Sequence, residues 1–236
     1  MMRLIHSIRS IKQCIFPSRR DLGNCGKTFR IGKPIYVSSP KNLHIGDYAV
    51  LRRGATILNN IGENVDIRKY TVISANCTIV TNNHKSTVGI PQCLLGASHI
   101  NDKSQDVLVG EDVWVGVNVT ILMGANIGRG CVIGACSTVT KNIPPYAVVV
   151  GTPARIVGVK FSVEQILEHE KMLYPENERY THEYVENLFE EHYKDLKIFG
   201  ISTDFTEDHL SMLEEALYIR EYEMPEYINK VNEKLH

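Results

Sequence analysis

Aliphatic residues recur at every sixth position through much of the first two thirds of this 236-residue chain. The period is most regular from Val109 onwards, where the chain reads VGEDVW, VGVNVT, ILMGAN, IGRGCV, IGACST and VTKNIP. Four residues after each aliphatic position stands a side chain that is mostly small or β-branched. The same pattern appears upstream from Ile45 and from Ile61, with a two-residue slip at Asn59 and Asn60 between the two runs.

A period of six matches neither the 3.6-residue repeat of a helix nor the strict alternation of an amphipathic strand. It predicts one short strand and one turn per hexad, so that three hexads close a triangular coil of about 18 residues. The aliphatic side chains then stack inward, and glycine or asparagine supplies the left-handed backbone that tight turns need. An all-β sandwich is the alternative, but sandwich strands do not hold a fixed phase over six consecutive units.

Charge and glycine content divide the chain into two parts. Residues 1–160 carry 19 Lys and Arg against 8 Asp and Glu and hold 16 of the 17 glycines, whereas residues 161–236 carry 7 against 19. We therefore predict a lead-in with an amphipathic helix over 1–30, a coiled domain over 31–160 with a loop at 85–108, and an acidic helical extension over 161–236. The basic body is expected to prefer an anionic partner.

The two ends are predicted to be helical. Leu4, Ile8, Ile11 and Ile15 form one apolar stripe on a basic N-terminal helix. A plug for the open end of the coil is the favoured role, and contact with a membrane surface through residues 3–20 is the alternative. In the extension, helices are predicted to begin near the capping residues Ser162, Thr181 and Thr206.

The sequence argues against a secreted, a transmembrane and a zinc-finger protein. No run approaches the roughly 18 apolar residues that span a bilayer, and no convincing signal peptide is present. The six cysteines have neither C-x-x-C nor zinc-finger spacing, and they are predicted to be mostly buried, reduced thiols. These features favour a cytoplasmic protein, with a peripheral position at the inner membrane face as the alternative.

The hexads, the segment EDVWVG, the ending TKNIPPYAVVVGTPARIVG and a histidine-bearing interruption resemble the hexapeptide-repeat acyltransferases. The likeness is to their sugar O-acetyltransferase and xenobiotic acetyltransferase branches, and it covers about residues 30–160. It implies a mainly β fold, a left-handed parallel β-helix with a protruding loop and an α-helical C-terminal extension. It further implies a homotrimer that binds acetyl-CoA between neighbouring subunits, with no nucleic-acid partner and no metal.

The interruption is the strongest candidate for chemistry. The repeat stops at Thr81–His84 and resumes near Val109, and a long loop in a regular solenoid is more often functional than idle. An imidazole with an ordinary pKa near 6.5 takes a proton from a hydroxyl or an amine at neutral pH. The resemblance implies that His84 is this general base, with direct transfer and no acyl-enzyme, so Cys77 is not assigned a role as nucleophile. Asn83 is assigned to substrate binding.

The resemblance also assigns binding residues. Trp114 is expected to form an apolar wall beside the acetyl group or the acceptor, or else a surface aromatic in the trimer contact. Gly116, Gly134 and Ala135 would leave room for an extended pantetheine arm. Thr140, Lys141 and Arg155 would contact the phosphate end of the coenzyme, with lysine as a point charge and arginine as a fork.

Two positions depart from the family pattern. Arg52 stands where the sugar-modifying branch commonly has an acceptor-binding asparagine, which suggests an acceptor with a carboxylate, such as a sialic or uronic acid. His99, in the middle of the loop, is interpreted as a solvated or packing residue. A three-histidine zinc site is rejected because neither His44 nor His99 has the required spacing from His84.

The sequence thus predicts an acetyl-CoA-dependent O-acetyltransferase that acts on a saccharide hydroxyl, in capsular or lipopolysaccharide assembly or on an acidic sugar. The alternatives are acetylation of an antibiotic or of an amino-sugar nitrogen, and a catalytically silent β-helix that serves as a scaffold.

Overall fold

The computed structural model describes Lys12 and residues 14–59 and 62–235. Three residues of the predicted N-terminal stripe, Leu4, Ile8 and Ile11, lie outside the described residues, as do Asn60 and Ile61 beside the phase slip. The described chain divides into two compact units, of which the first ends at Val157 and the second begins at Gly158.

The first unit is a column of stacked parallel strands arranged as three sheets, which we call faces A, B and C. The chain passes from one face to the next in a fixed order, A then B then C, and each full turn adds one strand to each face. This is the left-handed β-helix that the hexads predict. Face A consists of Leu43–Ile45, Val65–Ile67, Val107–Val109 and Asn126–Ile127. Within the first unit, face B consists of Arg30–Ile31, Val50–Leu51, Val72–Ile73, Trp114–Val115, Val132–Ile133 and Ala147–Val150. Face C consists of Tyr36–Val37, Thr56–Leu58, Thr78–Val80, Thr120–Ile121 and Thr138–Val139.

The hexad phase sets the register between coils. On face C, Ile121 pairs with Ile79 on one side and with Val139 on the other, so identical repeat positions stack in a column. All six aliphatic positions from Val109 to Val139 are at most 1% exposed. The small residues four positions later are also buried, since a larger side chain there would meet the neighbouring coil.

The corners of the column need a left-handed backbone, as predicted, but glycine and asparagine do not supply all of it. Asn76 and Asn118 have φ values of 60° and 58°, whereas Tyr48, Tyr70 and Cys136 adopt φ between 60° and 66°. Each of these corners donates its backbone N–H to the previous coil, for example from Tyr70 to the Asp47 carbonyl at 2.9 Å. The rings of Tyr48 and Tyr70 also stack at 5.5 Å. These repeated contacts offset the cost of a left-handed non-glycine residue, which is about 1–2 kcal/mol.

The loop that leaves the column is an ordered arm. Its base is a two-stranded antiparallel ladder of Asn82–Asn83 with Lys103–Ser104, and between these strands lies helix α1, Gln92–Ser98. Leu95 of α1 is fully buried and anchors the arm.

The second unit contains four α-helices. Three begin at the predicted caps: α2, Val163–Leu173, follows Ser162; α3, His182–Leu188, follows Thr181; and α4, Glu207–Arg220, follows Thr206. Helix α5, Pro225–Leu235, was not predicted, and its Lys230 ammonium donates to the last carbonyls of α2 at 2.9 and 3.1 Å. A π-helical turn follows α3 at Phe189–Tyr193. The strand Arg155–Val159 crosses the unit boundary, and its residues Gly158 and Val159 pair with the short strand Lys197–Ile198. Short 3-10 turns lie at Arg19–Asp21, Pro40–Asn42 and Glu176–Glu178.

The thiols are free, and their burial differs from the prediction. Cys77 and Cys131 are buried in the column, but Cys93 on α1 and Cys136 at a corner are exposed, so the prediction of burial is wrong for these two. Among the described residues, none of the helices has the length and apolar character to cross a bilayer.

Candidate active site

The ladder at the base of the arm determines which side chains meet there. Asn83 pairs with Lys103 and Asn82 with Ser104, so the next residues outward, His84 and Asp102, face each other across the two strands. Residues directly opposite in an antiparallel pair bring their side chains within reach of one another. The ladder continues into the column through a hydrogen bond from the Gln105 amide to the Thr81 carbonyl at 2.9 Å.

His84 is held by a carboxylate. Its Nδ1 lies 3.0 Å from both Oδ1 and Oδ2 of Asp102. The His84 side chain is 35% exposed and that of Asp102 is 16% exposed, so the pair is reachable from solvent at one side. Because the carboxylate accepts a hydrogen bond from the N–H group at Nδ1, the neutral ring carries its lone pair on Nε2. This is the tautomer that a general base requires.

A second imidazole binds the same carboxylate. His99 follows α1 with φ of 55°, and its Nδ1 lies 2.9 Å from Oδ2 of Asp102. The hydrogen bond from His99, followed by that from His84, holds the pKa of Asp102 below its ordinary value, so this group is an anion at neutral pH. His99 is 64% exposed, in agreement with the interpretation of a solvated residue, but it also contacts Asp102, a contact that was not predicted from the sequence.

Helix α1 borders the free nitrogen of His84. A Cβ atom added to Gly96 would lie 3.8 Å from Nε2, which is ordinary van der Waals contact. Glycine at this position leaves the space beside Nε2 free of a side chain from α1.

An open cavity of about 540 Å³ adjoins Asp102. Its lining is polar and basic, and neither of its two lysines has an ion-pair partner among the described residues. Besides Asp102, the lining includes the ammonium, hydroxyl and amide groups of Lys85, Lys103, Ser86, Thr87 and Asn101.

The residues assigned from the resemblance lie at two different corners of the column. His84 extends from the corner where face C passes to face A, and Thr140 and Lys141 follow the face C strand Thr138–Val139 at the same corner, two coils further along. Coils stack at the strand spacing of about 4.8 Å, so this separation is about 10 Å along the column. Thr140 and Lys141 are exposed, and Lys141 has no ion-pair partner among the described residues.

The other assigned residues lie at the opposite edge of face C, where face B passes to it. Arg52, Gly116 and Gly134 share this corner, because the amides of residues 52, 74, 116 and 134 each donate to the coil above. Arg52 is exposed and lies one coil earlier than His84, so the two do not meet at one corner of the column. Trp114, on face B, is 58% exposed while its neighbour Val115 is fully buried.

Glycine at position 116 has a structural reason of its own. A Cβ atom there would lie 2.6 Å from the backbone nitrogen of Ala135, and at Gly134 one would lie 2.7 Å from Cγ1 of Val150. Gly116 is therefore required for coil stacking, because the neighbouring atoms are backbone. At Gly134 the side chain of Val150, which is 42% exposed, would have to shift, and Ala135 is exposed. Arg155 is exposed beyond Ala154, whose amide donates to the Thr138 carbonyl at 2.8 Å, and its guanidinium donates to the Ala154 carbonyl.

Sequence reasoning missed Asp102 and the contact of His99 with it. The spacing of His99 and Asp102, three residues apart around the left-handed Asn101, is a local signal for a turn with both side chains on one side. The 18-residue separation from His84 carries no such signal, because only the antiparallel ladder brings the two together.

Comparison with known proteins agrees with this architecture. Residues 106–141 match the family model described as bacterial transferase hexapeptide (six repeats). The chain is 32% identical over 139 residues to the Saccharomyces cerevisiae protein YJL218W, to which an acetyltransferase activity is ascribed, and the match covers 59% of this chain and 67% of that protein.

A solved maltose O-acetyltransferase from Clostridium difficile is 30% identical, with a TM-score of 0.51 over 60% of this chain and 71% of that one. A chloramphenicol acetyltransferase of Morganella morganii is 44% identical over 64 residues, which cover 27% of this chain and 30% of that protein. The chain thus spans about two thirds of the yeast relative but less than one third of the antibiotic-modifying one.

A stacked hexad column with a histidine-bearing arm, together with these matches, defines the class. The chain belongs to the hexapeptide-repeat acetyltransferase family.

Proposed function

We propose that this protein is an acetyl-CoA-dependent O-acetyltransferase that modifies a saccharide hydroxyl, with His84 as its general base. The observation that carries the proposal is the contact of His84 Nδ1 with Asp102 at 3.0 Å, which leaves the lone pair on Nε2, in an arm where an open cavity adjoins Asp102. An acetyl transfer needs an imidazole in this tautomer, within reach of a hydroxyl.

The chain's own groups account for the proton transfers. Nε2 of His84 takes the proton of the acceptor hydroxyl as that oxygen attacks, and the Asp102 carboxylate stabilises the imidazolium that forms. Acetyl-CoA supplies the thioester that donates the acetyl group. The protonated His84 then returns its proton to the departing thiolate, so no covalent enzyme intermediate is needed.

The coenzyme assignment is supported by the exposed residues along the corner that carries His84. A ligand that runs from His84 to Lys141 crosses about 10 Å of column and ends at an ammonium group without an ion-pair partner among the described residues. The exposed guanidinium of Arg155 would add a fork for phosphate oxygens. Gly116 lends less support, because coil stacking already requires glycine there.

A homotrimer with active sites between subunits would reconcile the two sets of residues. Trp114, Gly116 and Arg52 lie on face B or at its corner with face C, whereas His84 and Lys141 lie at the other edge of face C. In a three-fold assembly, one edge from each of two neighbouring protomers would line a shared cleft. The exposed Trp114 would then form the apolar wall beside the acetyl group.

The polar cavity supports a saccharide, and its lysines favour an acidic one. Hydroxyl and amide groups from Ser86, Thr87 and Asn101 suit a polyhydroxylated acceptor, and Lys85 and Lys103 suit its carboxylate. We therefore propose a sialic or uronic acid unit, such as those of capsular or lipopolysaccharide glycans, as the acceptor. The test is a panel of acidic and neutral sugars with wild type, K85A/K103A and R52A. The variant that removes the contact with the sugar carboxylate is expected to show a higher KM for acidic sugars and an unchanged KM for neutral ones. An unchanged KM for acidic sugars in both variants would contradict the acidic assignment.

The decisive experiment separates coenzyme binding from turnover. His84→Ala is expected to retain binding of acetyl-CoA by calorimetry and to lose about 10²–10⁴-fold in kcat. Asp102→Asn is expected to lose at least about 10²-fold, because the amide favours the wrong tautomer of His84. Glu186→Gln serves as a control, because it alters a histidine–carboxylate contact of 3.1 Å on α3, in the second unit. Full activity of His84→Ala would refute the proposed role.

The chloramphenicol acetyltransferase match favours a second candidate, acetylation of an antibiotic or of an amino-sugar nitrogen. A panel of saccharide and antibiotic acceptors distinguishes these substrates. Mild base treatment of the isolated product then distinguishes a hydroxyl from a nitrogen acceptor, since an ester is hydrolysed and an amide persists. A scaffold without activity is the remaining alternative, and failure of the purified protein to bind acetyl-CoA would favour it.

A further inference from the structure

The cluster of His84, His99 and Asp102 offers a set of donors that exceeds what a general base needs. One carboxylate would be sufficient to orient one imidazole, yet Oδ2 of Asp102 lies within hydrogen-bond distance of two rings, at 3.0 and 2.9 Å. One ligand atom from each of the three side chains falls within 4.8 Å of the others. Two imidazole nitrogens and a carboxylate oxygen are the donor types that zinc prefers.

We propose that His84, His99 and Asp102 bind a zinc ion through the two Nδ1 atoms and one carboxylate oxygen, and that zinc reversibly switches off the transferase. The binding site itself rests only on these contacts, whereas the loss of activity rests on the proposed role of His84.

The geometry is close to what a zinc ion requires. Bonds of about 2.0–2.2 Å in a tetrahedral site place ligand atoms about 3.4 Å apart. The two nitrogen–carboxylate distances, 3.0 and 2.9 Å, are slightly shorter than this, and no pair of ligand atoms exceeds 4.8 Å. His99 and Asp102 flank a turn at the exposed end of α1, with side chains 64% and 16% exposed, so a small shift of this segment completes the triangle and leaves the fourth position to water.

Zinc would act on the tautomer of His84. In the metal-free protein Nδ1 carries the proton and Nε2 the lone pair. Zinc takes the Nδ1 lone pair of each ring, so each neutral ring moves its proton through solvent from Nδ1 to Nε2, and no net proton is released from a neutral ring. His84 then presents an N–H group to the acceptor hydroxyl and has no site left for the hydroxyl proton.

Direct metal binding tests the site without reference to activity. The full-length protein, freed of metal by a chelator, is titrated with Zn²⁺ by calorimetry and with Co²⁺ by visible absorption. We expect one ion per chain and the intense visible bands of a tetrahedral cobalt site, without the near-ultraviolet charge-transfer band that a thiolate ligand would add. Such a thiolate band, or its loss in Cys93→Ser, would overturn the assignment, because Cys93 is an exposed thiol on the same arm.

Variants identify the ligands. Loss of an outer-shell partner typically weakens metal binding by about 10–100-fold. His99→Gln removes a direct ligand and is therefore expected to weaken Zn²⁺ binding by more than this. The control is His182→Gln, which removes a histidine that contacts the Glu186 carboxylate on α3 and is expected to leave Zn²⁺ affinity unchanged. Equal weakening in both variants, or none in His99→Gln, would overturn the site.

Inhibition is then measured in the same titration. Turnover of the wild-type enzyme is expected to fall in parallel with zinc occupancy and to recover fully with a chelator, and the half-inhibiting zinc concentration is expected to rise in His99→Gln. Full activity at saturating zinc would overturn the tautomer switch. If His84→Ala proves fully active, the proposed function fails, and the zinc-binding result still stands or falls on calorimetry alone.

Discussion

The column and the arm of the first unit obey different rules. In the column, a repeat position fixes both the burial and the neighbours of a residue, so Ile121 stacks between Ile79 and Val139 in the same way that every coil stacks. In the arm, two ladder pairs and the buried Leu95 hold the 19 residues between Asn83 and Lys103, and side chains there meet across long sequence separations. The column holds most of the buried apolar side chains of the unit, and the arm carries His84 and Asp102. The comparison suggests that repeat folds keep chemistry in the segments where the repeat is interrupted.

The largest expected effect tests the column. Ile121→Ala removes a fully buried side chain at a position where the coils above and below present Ile79 and Val139. The cavity that remains is expected to lower the free energy of unfolding by about 2–5 kcal/mol, measured by denaturant titration. Val117→Ala is the matched control, because Val117 is 45% exposed and its truncation is expected to change stability by less than about 0.5 kcal/mol. Equal effects of the two substitutions would mean that the hexad phase does not define the core.

The second prediction makes the same kind of truncation in the arm. Leu95→Ala removes the buried side chain of α1 and is expected to lower the local stability of residues 85–102 by up to about 2–5 kcal/mol. The loss would be measured as faster hydrogen exchange and faster protease cleavage within this segment. The melting temperature of the column is expected to change little, while turnover falls because His84 loses its fixed partner. Leu94, 56% exposed on the same helix, provides the control variant Leu94→Ala. A global loss of stability equal to that of Ile121→Ala would show that the arm and the column unfold together.

The same contrast explains how much could be predicted from the sequence. The phase of the hexads placed Val109, Ile121 and Val139 in the core correctly, because one geometric rule repeats in every coil. The corner tyrosines escaped prediction, since their left-handed backbone depends on stacking and hydrogen bonds to the preceding coil rather than on intrinsic preference. Asp102 escaped it for a similar reason, because its position opposite His84 follows from the register of a ladder that no periodicity announces.

In the helical unit, local signals in the sequence predicted three of the four helix starts. The caps Ser162, Thr181 and Thr206 marked three helix starts, because a side-chain oxygen that accepts from a backbone amide two or three residues into the helix is a local signal. Helix α5 begins instead with Pro225, a residue that favours the first helical turn, and attention to that signal would have found it.

The smallest expected effect concerns the border between α1 and the reactive nitrogen. Gly96→Ala is expected to stabilise α1 by up to about 1 kcal/mol, because glycine is a poor helix former and its φ here is not left-handed. The added methyl group would lie 3.8 Å from Nε2 of His84, which permits the ring to stay in place but narrows the approach of the acceptor. We therefore expect slower exchange of the α1 amides together with a modest rise in KM for the acceptor and an unchanged KM for acetyl-CoA.

Gly89→Ala is not a suitable control, because Gly89 has φ of 82° and a side chain there is strained in itself. Ala97→Ser is the better one, since Ala97 is an exposed neighbour on the same helix. If Gly96→Ala raised KM for acetyl-CoA instead, α1 would border the coenzyme rather than the acceptor. The positions assigned to the acceptor and to the coenzyme on either side of His84 would then be reversed.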